Sequence, residues 1–184
     1  MTRGAWSVST AGQTPFPLGT LYGCIYRVGH VEPLAGDRFD AGSAWAPKPA
    51  VAIAGPLVAF SGSFETGTGV SIGLFIATLV EPPPGGAFVA TFPVREGTGS
   101  VVLRPNGSVA WITCNLRRLS RVAPPCPKPG RTFTQLEIHE AGRDRPGASR
   151  TLDTGNRIAP NSLHLHGDRV TWIKAGKKRH ATLR

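Results

Sequence analysis

Apolar residues along this chain alternate with polar ones in short runs broken by glycine and proline, the pattern of strands and turns and not of helices. In the run from Thr132 to His139, Leu136 and Ile138 alternate with Gln135, Glu137 and His139, as a half-buried strand requires. From Ser71 to Val80, Ile72, Leu74, Ile76 and Thr78 alternate with Ser71, Gly73, Phe75 and Ala77. The internal glycine and the Pro82-Pro83-Pro84 turn that follows assign this run to a strand. No stretch has the 3.6-residue period of an amphipathic helix.

One pattern recurs. Val51 to Phe60 matches Leu163 to Trp172 without a gap: an alternating strand, a tight turn on glycine, and a second strand ending in a small residue and an aromatic. A third copy, Val101 to Trp111, has a turn one residue longer, built on Pro105-Asn106-Gly107. That tripeptide is a strong hairpin signal. The aromatics at Phe60, Trp111 and Trp172 are spaced around the ~50 residues of a four-stranded propeller blade. Further strands are expected at Thr20 to Arg27, Val31 to Leu34, Ala87 to Val94, Ser149 to Asp153 and Arg179 to Leu183.

The expected fold is therefore all-β, a β-propeller-like array of three to four antiparallel blades, with a β-sandwich or an open barrel as alternatives. Residues 1–19 read as an N-terminal extension and 20–184 as a single domain, with repeat hairpins near 50–61, 101–112 and 162–173. The first unit lacks its leading strands and the last its trailing ones. The terminal strands are expected to close one blade and so remove exposed sheet edges.

On the residues Ser108-Val109-Ala110-Trp111 and Asp168-Arg169-Val170-Thr171-Trp172, the chain resembles the repeats of WD40-like, TolB-type β-propellers. More narrowly, Leu21-Tyr22-Gly23-Cys24, Leu103 to Trp111 and Leu152-Asp153-Thr154-Gly155 are similar to segments of a group of small uncharacterised bacterial proteins. The likeness covers roughly residues 20 to 184 and implies a propeller and an exported protein. That group has no assigned activity, and propeller repeats host many unrelated functions.

Composition supports the strand-and-turn reading: 23 glycines and 17 prolines fall among 184 residues. The net charge of +10 is unevenly placed. Residues 1–100 hold five basic and six acidic side chains, and residues 101–184 hold sixteen and five. No acid lies between Glu96 and Glu137 or after Asp168. Arg117, Arg118, Arg121, Lys174, Lys177, Lys178 and Arg179 are the candidate binding residues for an anionic polymer or a protein partner. A plain solvated face is the simpler alternative.

No run reaches the ~20 apolar residues of a membrane-spanning helix. Met1 to Trp6 shows no apolar leader, so an extracytoplasmic location rests on the resemblance, with the cytoplasm as the alternative. Cys114 and Cys126 flank one loop and form a candidate disulfide in an oxidising compartment. Cys24 reads as a buried thiol in a strand.

The chemistry is sparse. Gly69-Val70-Ser71-Ile72-Gly73 fits a nucleophile-elbow pattern, which needs a helix after the serine. A strand at Ser71 would remove the hydrolase reading. His164 and His166 share a strand face, but the alternation turns Leu163 and Leu165 inward and the histidines to solvent, so no metal site is expected. Glu137 with Glu140, or Asp144 with Asp153, would be the carboxylate pairs for glycoside cleavage; Glu140 to Asp144 reads as a polar turn. No nucleotide fingerprint is present, and no catalytic residue or cofactor is assigned. Phe60, Trp111 and Trp172 read as a shared core layer, with a base-stacking platform as the alternative.

Overall fold

The matched hairpins form because their turn residues reach backbone conformations closed to most side chains. In the computed structural model, β5 (Val51–Ala54) and β6 (Leu57–Thr66) are joined by Gly55-Pro56, with Gly55 at φ 57°. β13 (His164–His166) and β14 (Arg169–Lys174) are joined by Gly167-Asp168, with Gly167 at φ 61°. Glycine at the first central position is what a two-residue turn matching the strand twist demands. Between β9 (Gly97–Leu103) and β10 (Val109–Leu116), Gly107 at φ 91° completes the longer turn and donates its N–H to the Arg104 carbonyl at 3.0 Å. The Asn106 side chain accepts the Ser108 N–H at 3.0 Å.

The structure describes residues 3–7, 21–25, 30–33, 39–40, 50–66, 69–78, 88–93, 97–116, 126, 133–142 and 148–184. Among them every regular element is a strand, and the strands form four antiparallel sheets. The first sheet holds β1 (Arg3–Ser7), β2 (Leu21–Ile25) and β3 (His30–Pro33). The second is the meander β5-β6-β7-β8, with β4 (Phe39–Asp40) also on β6; β7 is Gly69–Thr78 and β8 is Phe88–Pro93. The third is β9-β10-β11-β12, with β11 at Phe133–Ala141 and β12 at Arg150–Gly155. The fourth is β13-β14-β15, with β15 at Lys177–Thr182.

Sheets two, three and four stack. Leu57, Ala59, Leu74 and Ile76 of the second sheet pack on Val101, Leu103, Val109 and Trp111 of the third. The opposite face of the third sheet, with Ala110, Ile112, Leu136 and Ile138, packs on Val170 and Trp172 of the fourth. The leading strands follow one another: β1 lies against β5, β5 against β9, and β9 against β13.

The three aromatics occupy equivalent places. Each sits on the second strand of its hairpin, and all are buried. Trp111 faces the sheet before its own, and so does Trp172. Strand alternation turns Phe60 away from the third sheet, stacked on Phe75 with centroids 5.5 Å apart. The small residues Ala59 and Ala110, one position earlier, face the following sheet. The stacking is therefore directional, aromatic face against the preceding sheet.

Two expectations are corrected. The terminal strands do not close one blade: β1–β3 and β13–β15 are separate sheets, and no closed barrel or propeller ring forms among the described residues. Each chain end builds its own local meander, whose loop closures cost less entropy than bringing the two ends of the chain together. Second, Glu140 is not in a turn. It lies in β11, buried, opposite Arg150. Arg3–Ser7, within the N-terminal extension, forms β1 on β2.

Candidate functional site

The fourth sheet carries the described part of the basic surface. β14 and β15 are joined by Ala175-Gly176, both at positive φ (52° and 74°). This turn, longer-range bonded through the Ala175 N–H to the Arg157 carbonyl at 2.8 Å, directs Lys177, Lys178 and Arg179 along the sheet edge. All three are exposed, as are Arg157, Arg169, His164, His166 and His180. His164, Thr171 and His180 pair across the sheet, and Arg169 pairs with His166 and Thr182, so these share the face turned away from the third sheet. Asp168 is the single acid of this sheet.

Lys174 is withdrawn from that surface. Its Nζ donates to Asp153 Oδ1 at 2.6 Å and to the Thr154 carbonyl at 2.8 Å. Asp153 Oδ2 also accepts the Trp172 indole N–H at 2.9 Å, and Oδ1 accepts the Thr154 N–H at 2.8 Å. Partial burial pushes the Asp153 carboxyl up, but the hydrogen bonds from Lys174, Trp172 and Thr154 and the Lys174 charge together hold it below its ordinary value. The cation serves the joint between the third and fourth sheets. Arg117, Arg118 and Arg121 lie outside the described residues, as do Asp144 and the loop they were read from.

The remaining candidates disperse. Ser71 lies within β7, paired with Phe64, so the strand-to-helix turn of a nucleophile elbow is absent there. Glu137 and Glu140 are three apart on one strand and point to opposite faces, so they cannot flank one bond. Glu137 instead meets His139 Nε2 at 3.2 Å. His139 stacks on Trp111 with centroids 5.4 Å apart, and its ring nitrogens lie 3.3 Å from Thr113 Oγ1 and 3.4 Å from Thr151 Oγ1. Burial lowers its pKa; Glu137, by charge and hydrogen bond, opposes this without overcoming it. Among the described residues no cluster of His, Cys, Asp and Glu could hold a metal ion, and no helix is long and apolar enough to cross a membrane.

Cys114 and Cys126 form a disulfide, with Cα atoms 5.6 Å apart. The Cys126 N–H bonds the Thr98 carbonyl at 3.1 Å, so the far end of the loop is pinned on β9. Phe60, Trp111 and Trp172 are buried, which removes them as a stacking platform for bases. No protein-family model, no curated protein and no solved structure matches the chain.

Proposed function

We propose that the chain is a non-catalytic, β-propeller-like binding domain that engages an anionic polymer through its C-terminal sheet. The observation that carries this reading is the run Lys177-Lys178-Arg179, exposed on an edge strand, with Lys178 on the same face as exposed Arg169 and with Lys177 and Arg179 on the other face. A surface of one sign attracts polyanions over a distance of about one Debye length. With the three repeat aromatics buried, recognition rests on charge and not on stacked bases. The stack of meandering sheets, with repeat hairpins in equivalent positions, supports the blade-like reading. The Cys114–Cys126 disulfide favours an oxidising compartment, and with it an extracytoplasmic site of action.

Lysines on an edge strand also deter edge-to-edge pairing, which needs no ligand at all. Heparin chromatography over a salt gradient separates the two roles. The wild-type chain is expected to elute well after its position on a neutral resin. A K177S/K178S/R179S variant should elute earlier, with the slope of log affinity on log salt reduced by about 2 to 3 for three lost contacts. Unchanged elution of that variant rejects the run as the binding surface. Earlier aggregation with unchanged heparin retention assigns the lysines to edge protection.

A further inference from the structure

The two faces of the fourth sheet differ in chemistry. Leu165, Val170, Trp172 and Ala181 turn toward the third sheet and pack there. Alternation puts His164 and His166 of β13 on the other face, with Arg169, Thr171 and Ile173 of β14 and Lys178, His180 and Thr182 of β15. All of these but Thr171 are exposed. Three of the chain's five histidines therefore share one surface with the permanent cations Arg169 and Lys178.

Register sets their spacing. His166 lies opposite Arg169, and His164 and His180 flank Thr171 from its two sides. With strands about 4.8 Å apart and alternate residues about 6.7 Å apart, these basic positions fall within about 17 Å of one another. Neighbours are thus within about one Debye length and act together on a bound chain. Among the described residues no carboxylate stands on this face; the acid of the sheet is Asp168, in the turn beside His166 and Arg169. Asp153 is engaged on the inner side by Lys174 and Trp172. More cations border the surface: Lys177 and Arg179 project from the other side of β15, and Arg157 lies beside the β14–β15 turn.

We propose that this face is a proton-gated binding surface for an anionic polymer, weaker at neutral pH and stronger in mild acid. The inference rests on the polyanion reading above and adds the condition under which binding occurs. Histidine is the side chain whose charge changes between about pH 5 and 8. When the three imidazoles protonate, the formal charge of the face rises from about +2 to about +5. Without a polymer these like charges repel, which opposes protonation. A polyanion laid across the face relieves the repulsion, so binding takes up protons and protonation strengthens binding by the same factor. Lysines in these places would hold their charge throughout that range and give no such response.

The test is salt-gradient elution of the full chain from dextran sulfate, whose sulfates stay ionised, at about pH 5.5, 6.5 and 7.5. Affinity at fixed salt is expected to rise about tenfold or more from the highest pH to the lowest, with the slope on log salt steeper by up to about 3. H164Q/H166Q/H180Q, all at exposed positions, should elute alike at the three pH values. Added dextran sulfate should move the ring titrations of these histidines upward in wild type by NMR, a reading that needs no variant. K177S/K178S/R179S should elute earlier at each pH and keep the pH response. A pH response that survives in the triple histidine variant belongs to His30, His139 or another group and overturns the proposal, as do unshifted ring titrations. Equal retention of wild type at all three pH values overturns the gating and leaves the polyanion reading standing. Retention no greater than on a neutral resin at every pH overturns both.

Discussion

Replacing Asp153 tests how the third and fourth sheets are joined. Its carboxylate accepts the indole N–H of Trp172, a residue 3% exposed, and pairs with Lys174 across the joint. In D153A the indole N–H loses its partner inside the core, a loss of about 1 to 3 kcal/mol. The Lys174 pair is 30% and 18% exposed at its two side chains, so solvent screens part of it and it adds only about 0.2 to 1 kcal/mol. Together they predict a loss of about 1 to 4 kcal/mol, a large share of a typical domain's 5 to 15. D153N keeps an acceptor for the indole and should lose only about 1 kcal/mol. Urea denaturation at neutral pH measures both, the slope serving as a check that the unfolded states are alike. The acid limb gives a second reading. Because the folded carboxyl titrates below its unfolded value of about 3.9, its contribution is complete above about pH 5 and fades as the pH falls through the folded value. Wild type should therefore lose more stability than D153N between pH 5 and pH 2. A D153A protein within about 0.5 kcal/mol of wild type, or D153N as unstable as D153A, would refute the assignment of the larger share to the indole.

Other positions give simpler tests. Ala175 at φ 52° holds a left-handed conformation that costs an L side chain about 1 kcal/mol, so A175G should gain stability by thermal denaturation, less the entropy glycine adds to the unfolded chain. A β-carbon on Gly99 would lie 2.3 Å from the Pro160 carbonyl oxygen, which itself accepts the Ser100 N–H; G99A should cost about 1 to 3 kcal/mol or more in urea denaturation. Opening the Cys114–Cys126 bridge, with the cysteines 12 residues apart, should cost about 2 to 3 kcal/mol, seen as a lower melting temperature in the C114A/C126A double variant.

The hairpins were legible because their information is local. Gly55, Gly107 and Gly167 fall where positive φ is needed, and the alternation around them sets which residues go inward. The shared burial of Phe60, Trp111 and Trp172 followed from the same register. Strand β15 was harder to place: its turn uses Ala175, which announces no turn, so the expected strand began at Arg179 and not at Lys177. The site was less legible than the fold. Lys174 differs from Lys177 in having Asp153 and the Thr154 carbonyl within reach, and those partners are 21 and 20 residues away in sequence. Composition gives the number of cations in a segment. Which of them remain free depends on pairings between sheets, which no local pattern encodes.

Directional stacking also gives the outer face of the fourth sheet a testable character. Ile112 and Ile173 are equivalent in the repeat, each following its tryptophan and each turned toward where the next sheet would lie. Ile112 is fully buried against the fourth sheet, whereas Ile173 is 36% exposed. Around Ile173 the same face carries His164, Arg169, Lys178 and His180, where the third sheet has Leu136 and Ile138. A polar outer face on the last unit is how stacked repeats stop without recruiting another copy. If the fourth sheet is such a cap, I173Q should change stability by less than about 0.5 kcal/mol, as at other surface positions. I112Q, which buries an amide between two sheets, should cost about 3 kcal/mol or more. A loss in I173Q approaching that of I112Q would mean that another surface covers this face, either the first sheet closing a ring or a second chain. Size-exclusion chromatography of I173Q would distinguish these, since only the second changes the oligomeric state.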